Sequence, residues 1–347
     1  MGILRFLMAL AVVATHADGL PPFHFIPGMK AVQTFYIISG FYMALILEDK
    51  YLEQPHSYKL FITNRILRIY PIYFIILLLS LFYYSSIHVL KGPDNPLVLW
   101  ENFLKQDNWL MLGSILFTTV FILGQDILLL VAGLPIGHAF LVPQAWTLSL
   151  ELMFYLLAPF LVRRRTAPLA AIFFASVCLA IFLYMLGLKF DPWTHRFFPS
   201  ALALFIAGIL SFRIYQLIRH KDIPFFWNAT AFATVLAMIF LFPILGPSLS
   251  YGKTISYFLA LSLGLPFIFY LTKNNKFDRW IGDFSYPIYI SHLLVQKIFF
   301  DCGITTSNPW LGWGVAAGSF LFSFALLYLI IYPIDKIREK RVLDHKL

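Results

Sequence analysis

The chain has 347 residues, of which 60% are hydrophobic and 18% aromatic. Only 12% are charged, against roughly 25% in a typical soluble domain. This balance excludes a soluble globular enzyme, a disordered chain and a nucleic-acid-binding protein. The net charge of +9 is spread over the loops, so it concerns membrane orientation. Cys178 and Cys302 stand alone in apolar stretches, which predicts neither a disulfide nor a metal site.

A helix that crosses a membrane needs about 20 mostly apolar residues. Short loops separate the candidate stretches, and no linker or repeat divides them. The candidate stretches are 2–17, 30–47, 69–90, 109–131, 146–162, 168–188, 197–215, 229–246, 254–271, 285–300 and 310–334. We therefore predict an all-α, polytopic integral membrane protein that forms one transmembrane domain, 1–347, with no appended soluble domain.

The placement of Lys and Arg predicts the topology. Most of the 26 basic residues form clusters, which share one side only if the stretch 109–131 does not cross as a single helix. Gly113, Gly124, Gln125 and Asp126 in this stretch suit a re-entrant or interfacial segment. The prediction is about ten transmembrane helices, both termini in the cytoplasm, and a non-crossing segment near 109–140.

The first stretch also resembles a weak signal peptide, since Thr15-His16-Ala17 could serve as a cleavage site. Arg5 is the only basic residue before it, and many more apolar stretches follow. We therefore expect this segment to be retained as a membrane helix.

Ionisable residues inside membrane helices are costly and often functional. Arg5 and His16 are eleven steps apart, which is about 20° past three full helical turns. They therefore share one helix face, roughly 16 Å apart along the axis. His16 is a candidate general base. Alternatively, both residues are interfacial and are satisfied by lipid headgroups.

Other charged or titratable residues lie in or beside apolar stretches. Arg65 and Arg68 are neighbours on a helix, which suits phosphate recognition or ordinary flanking of a membrane helix. Glu151 lies within an apolar run, so it either orients an active-site histidine or pairs with a structural group. His292 is a packing histidine or part of a polar cavity.

Five loose motifs occur in order along the chain, and the small residues Ser39 and Gly40 of the second suit close helix packing. The motifs are Arg5 with His16; Phe35-Tyr36-Ile37-Ile38-Ser39-Gly40-Phe41; Arg65 and Arg68 before Tyr70-Pro71; Trp146-Thr147-Leu148-Ser149-Leu150-Glu151 with Phe154-Tyr155; and Ser285-Tyr286 through Tyr289 to His292. Together they resemble the acyltransferase-3 family of integral-membrane acyltransferases, over essentially the whole chain. The resemblance is to the stand-alone branch that modifies polysaccharides.

The resemblance implies transfer of an acyl group, most often acetyl from acetyl-CoA, to a hydroxyl of a glycan or lipid-linked carbohydrate. It implies His16 as general base, although an acyl-histidine intermediate stays open, and Glu151 as the residue that orients or stabilises the site. The implied substrate contacts are Arg5, Arg65, Arg68, Trp146, Ser149, Tyr289 and His292.

The implied partners are acyl-CoA, the carbohydrate acceptor and the lipid bilayer, without nucleic acid. Acetyl-CoA is then a donor substrate, and no cofactor or metal is permanently bound. Family analogy places the protein in a bacterial inner membrane, and no oligomeric state is predicted. The competing hypotheses are a transporter or flippase for a lipid-linked or acidic solute, and a scaffold without chemistry. No inverted repeat or matched pair of broken spans supports a transporter.

Overall fold

The computed structural model describes residues 1–51, 57–86, 95–188, 190–245 and 250–344. Every regular element within these ranges is a helix. The α-helices are α1 (Gly2–His16), α2 (Gly28–Lys50), α3 (Ser57–Ser86), α4 (Pro96–Lys105), α5 (Trp109–Phe121), α6 (Gln125–Ala132), α7 (Trp146–Val162), α8 (Thr166–Met185), α9 (Phe198–Ile218), α10 (Phe225–Leu241), α11 (Ser250–Thr272), α12 (Lys276–Asp283), α13 (Ser285–Asp301), α14 (Leu311–Leu326) and α15 (Tyr332–Asp344).

Seven helical segments of the described chain are long and apolar enough to cross a membrane: Gly28–Lys50, Ser57–Ser86, Pro143–Val162, Thr166–Met185, Asp191–Ile218, Gly252–Thr272 and Leu311–Leu343. Three apolar helices, α1, α5 and α10, are shorter. The predicted number of about ten is therefore not established by length and composition. Large apolar side chains lie exposed on α8, with Phe174 63% and Met185 78% accessible, as expected for a helix that faces lipid.

The stretch 109–131 is not one continuous helix. The helix α5 ends at Phe121, and the backbone then reverses through Ile122 at φ +63° and Gly124 at φ +86°. The left-handed conformation suits a glycine, so Gly124 was a correct sequence signal for an interruption. We call this turn the α5–α6 break.

Two tyrosines of α3 hold the carboxyl end of α5. The Tyr70 hydroxyl donates to the carbonyl of Phe121, and the Tyr73 hydroxyl donates to the carbonyl of Thr119. The last carbonyls of a helix lack partners within it, and no water is available in hydrocarbon to satisfy them. These hydrogen bonds therefore allow α5 to end in an apolar setting.

The chain forms two compact units, which we describe separately. The first unit contains Met1–Phe61 and Leu204–Leu347, and the second contains Ile62–Ala203.

The helix α1 is the centre of the first unit and packs against α2, α12, α13 and α14. Apart from Arg5 and its last two residues, its side chains are apolar, and Leu4, Met8 and Val13 are fully buried. A helix that is apolar all round is stable only when other elements surround it. The position of α1 thus follows from its sequence and fixes where His16 lies.

The helices α2 and α9 make a close backbone contact within the first unit. A Cβ atom on Gly40 would lie 2.0 Å from the Phe205 carbonyl oxygen, and one on Gly208 would lie 2.0 Å from the Ile37 carbonyl oxygen. Small residues at such crossings let membrane helices approach. The packing role predicted for Ser39 and Gly40 is therefore confirmed at Gly40.

Candidate active site

His16 is the last residue of α1, and its side chain is exposed. Its Nδ1 lies 2.9 Å from the Val12 carbonyl oxygen, one turn earlier. A carbonyl oxygen can only accept a hydrogen bond, so Nδ1 carries the ring proton. The Nε2 atom of neutral His16 is then unprotonated, which is the form that a general base requires.

His292 lies in α13 beside His16. The ring centroids are 5.0 Å apart and the ring planes are inclined by 56°. His292 is completely buried, and its Nδ1 lies 2.7 Å from the Tyr289 carbonyl oxygen. By the same argument Nδ1 is protonated, which leaves Nε2 as an acceptor. Among the described residues this Nε2 has no hydrogen-bond partner, so the structure pairs an exposed and a buried imidazole.

The backbone around His16 is held from two sides. The Gln296 side-chain amide donates to the His16 carbonyl. The Gly28 backbone amide donates to the Thr15 hydroxyl at 2.7 Å, so the start of α2 is attached to the end of α1. Sequence reasoning missed Thr15 and Gln296. A signal did exist for Gln296, since it follows His292 by four residues and shares its helix face.

Tyr289 and Arg5 take different places around α1. Tyr289 is buried, its carbonyl orients His292, and its ring packs edge-on against Phe35 with centroids 6.1 Å apart. Arg5 lies near the opposite end of α1 from His16 and is half-buried. The structure therefore brings His292 to His16, with Tyr289 beside His292, and leaves Arg5 eleven residues away along the helix.

Asp278 of α12 caps the amino end of α1. Its carboxylate accepts hydrogen bonds from the backbone amides of Gly2 at 2.7 Å and Ile3 at 2.9 Å, and Oδ2 lies 2.6 Å from the Met1 amino nitrogen. Burial acts to raise the pKa of Asp278, but these hydrogen bonds outweigh it and hold the pKa below its ordinary value. The cap satisfies donors that a helix end leaves open.

In the second unit, Glu151 of α7 accepts a hydrogen bond from the Tyr155 hydroxyl one turn later. Arg65 and Arg68 of α3 interact electrostatically with the same hydroxyl. Arg65 is 3% exposed, so its guanidinium is held inside the unit. Glu151, Tyr155, Arg65 and Arg68 form one charged group, which we call the arginine–glutamate cluster. His16 belongs to the first unit and Glu151 to the second.

Trp146 packs against charged and aromatic neighbours that the sequence did not indicate. The Arg196 guanidinium lies 4.1 Å from the centre of its ring, and the His195 ring meets it edge-on at 5.0 Å. Arg196 forms two hydrogen bonds to Asp191, at 2.6 and 3.0 Å. Trp146 is buried by this arrangement, so its observed contacts are structural.

Ser149 connects α7 to the α5–α6 break. Its hydroxyl donates to Asp126 Oδ1 at 2.6 Å and accepts from the Gly124 backbone amide at 3.0 Å. Asp126 is 2% exposed. Both hydrogen-bonding functions of the hydroxyl are thus used within the protein, and Ser149 positions the break.

Comparisons with known proteins bear on the family of this chain. The acyltransferase-3 family model, described as an acyltransferase domain, matches residues 1–332. The protein named "Putative acetyltransferase ORF330" from Acidianus two-tailed virus is 24% identical over 325 residues, covering 87% of this chain and 84% of the viral protein. An uncharacterized protein from Aquifex aeolicus (strain VF5) is 24% identical over 212 residues, covering 57% and 88% of the two chains. No solved structure matches the chain significantly.

The helical architecture and its apolar surface define an integral membrane protein. The chain belongs to the acyltransferase-3 family, and it is a membrane acyltransferase.

Proposed function

We propose that the protein transfers an acyl group, acetyl in the first instance, from acyl-CoA to a hydroxyl of a glycan or lipid-linked carbohydrate. The observation that carries this proposal is the His16–His292 pair, because it presents an imidazole, oriented through Nδ1 by the Val12 carbonyl, at the exposed end of a buried helix. The family supplies the reaction class. The name of the viral relative favours acetyl over other acyl groups.

The proposed reaction needs one base. His16 Nε2 takes the proton of the acceptor hydroxyl as its oxygen attacks the thioester carbonyl. The new C–O bond forms, the C–S bond breaks, and the departing thiolate receives the proton from His16. His292 packs beside the imidazolium that forms between these steps. In its neutral form His292 offers Nε2 there as a hydrogen-bond acceptor.

We assign donor recognition to the arginine–glutamate cluster. Guanidinium groups bind phosphate oxygens with two parallel hydrogen bonds, and Arg65 and Arg68 lie one turn apart on α3. The Tyr155 hydroxyl, which donates to Glu151, lies within electrostatic range of both arginines. The CoA phosphates are the anionic group that this cluster would bind.

The proposed orientation of the protein in the membrane is based on the side on which its Lys and Arg residues cluster. Both termini would face the cytoplasm of a bacterial cell, together with Arg5, Arg65 and Arg68, and the protein would lie in the inner membrane. CoA thioesters are cytoplasmic, so the donor would enter on the arginine side.

The activity is tested with purified protein in detergent. CoA release is followed with acetyl-CoA, succinyl-CoA and a longer acyl-CoA, each with and without a mixed glycan extract, and acylated glycan is detected by mass spectrometry. We expect glycan-dependent release, fastest with acetyl-CoA. A folded protein that releases no CoA from any donor would contradict the proposal and favour transport of an acidic or lipid-linked solute.

A further inference from the structure

Two buried polar side chains, one on each side of the α5–α6 break, have an atom without a hydrogen-bond partner among the described residues. Gln125, the first residue of α6, is 1% exposed, and Thr119, near the end of α5, is 4% exposed. Within the described residues neither Gln125 Oε1 nor the Thr119 hydroxyl has a hydrogen-bond partner. Leaving such a group unpaired costs about 1–3 kcal/mol. A bound molecule with suitable donors would recover this free energy.

Other polar groups at the break already have partners. Asp126 accepts hydrogen bonds from the Ser149 hydroxyl and from backbone amides at the start of α6. The Gly124 amide donates to Ser149, and Tyr73 donates to the Thr119 carbonyl. Asp126 therefore already occupies the amino end of α6, the place where the helix dipole favours an anion. A phosphate is not suited to this place, whereas a neutral group that donates a hydrogen bond to Gln125 Oε1 is.

The break also lies close to the proposed donor site along α3. Tyr73, which contacts α5, follows Arg68 by five residues on the same helix. Five residues of helix span about 7.5 Å along the axis and turn about 140° around it, so a molecule that touches both places must pass around α3. A molecule with phosphates at Arg68 and a flexible neutral arm would reach the break with that arm.

We propose that the α5–α6 break is a subsite for the pantetheine arm of acyl-CoA, with Gln125 Oε1 accepting a hydrogen bond from an arm amide and Thr119 binding the neighbouring polar group. This inference rests on the proposed function, because the arm is defined by the donor. The arm carries secondary amides, which supply the N–H donor that the break lacks. The subsite would guide the thioester away from the phosphates.

The test measures binding by calorimetry in detergent. The ligands are CoA and its nucleotide half, 3′-phosphoadenosine diphosphate, which has the phosphates but no arm. The variants are Gln125→Met and Thr119→Val, with Thr118→Val as the matched control. Thr118 undergoes the same chemical change one residue away, but its hydroxyl already donates within α5, to the Ser114 carbonyl.

We expect Gln125→Met and Thr119→Val each to weaken CoA binding about tenfold, which corresponds to about 1.4 kcal/mol, and to leave nucleotide binding unchanged. Thr118→Val should bind both ligands as the wild type does. Unchanged CoA affinity in both variants, or an equal loss for both ligands, would overturn the subsite. Wild-type protein that binds no CoA would overturn the subsite and the proposed donor together. If CoA binding follows the expected pattern but no acyl transfer occurs, the subsite stands and the proposed reaction fails.

Discussion

The imidazoles of His16 and His292 lie with ring centroids 5.0 Å apart, one exposed and one completely buried. Each ring has its Nδ1 beside a backbone carbonyl of its own helix, Val12 for His16 and Tyr289 for His292. In the neutral form each ring therefore carries its proton on Nδ1, which leaves Nε2 as an acceptor. The mostly apolar helix α1 thus ends in His16, an imidazole suited to proton transfer, with His292 packed beside it.

The role of His292 can be separated from that of His16. In His292→Phe an aromatic ring still fills the space, but the nitrogen beside His16 is lost. We expect kcat to fall on the order of tenfold, the size of one polar contact of about 1.4 kcal/mol, with KM for both substrates unchanged. Steady-state kinetics over both substrates checks this. If kcat falls only in proportion to the loss of folded protein, His292 has a packing role alone.

Donor binding should depend on the arginine–glutamate cluster. In Arg68→Lys the charge remains, but the planar fork that pairs with phosphate is lost. We expect KM for acetyl-CoA to rise about tenfold, consistent with about 1.5 kcal/mol for a hydrogen bond to a charged group. KM for the acetyl thioester of N-acetylcysteamine, which has no phosphate, should not change.

Arg165→Lys is the control for that variant, because Arg165 is exposed in the turn before α8. It should leave both KM values as in the wild type. If Arg68→Lys raises KM for the phosphate-free thioester equally, the assignment of phosphate recognition to Arg68 is wrong.

The crossing of α2 and α9 should tolerate no side chain at Gly208. A Cβ there would lie 2.0 Å from the Ile37 carbonyl oxygen, so Gly208→Ala must separate the helices. We expect a loss of about 1–3 kcal/mol in the free energy of unfolding, seen as a lower Tm in detergent. Gly252→Ala is the control, since no atom lies within 4 Å of its added Cβ. Equal Tm values in the two variants would contradict the close contact.

The Asp278 cap predicts a pH-dependent contribution to stability. The pKa of Asp278 is lowered in the folded protein, because hydrogen bonds to the amino end of α1 outweigh the effect of burial. Its contribution is therefore complete above the unfolded pKa of about 3.9 and is lost as pH falls through the folded pKa. Asp278→Asn should lower the free energy of unfolding by about 1–3 kcal/mol at pH 7.

Unfolding of the wild type and Asp278→Asn is compared at pH 7 and at decreasing pH. The difference should persist to about pH 4 and shrink only below it. Asp222→Asn, at an exposed aspartate, should show no difference at pH 7. A gap between the wild type and Asp278→Asn that shrinks well above pH 4 would contradict a lowered pKa.

Parts of this arrangement could be predicted from the sequence because they depend on local geometry. The helical angle places Arg5 and His16 on one face of α1, and Gly124 indicates the α5–α6 break. The bounds of α1 and α13 agree closely with the predicted stretches 2–17 and 285–300. The pairing of Glu151 with Tyr155 was also accessible, since the two are four residues apart.

Contacts between distant segments could not be predicted in this way. The meeting of His16 with His292 requires α1 to pack on α13, and no periodicity specifies which helices become neighbours. The partners of Trp146 and Ser149, Arg196 and Asp126, are also remote in sequence. The substrate contacts that the resemblance implies for Trp146 and Ser149 stay a prediction, since the contacts in the structure are made by the protein itself.

The central claim is that His16 is the base of an acyl transfer. The most direct measurement compares the wild type, His16→Ala and His220→Ala for acetylation of a glycan extract by acetyl-CoA. His220 is an exposed histidine after α9, so its loss controls for the removal of an imidazole. We predict that the wild type and His220→Ala acetylate the glycan, while His16→Ala loses at least about a hundredfold of the rate and still binds acetyl-CoA. Acetylation at the wild-type rate by His16→Ala would contradict the claim.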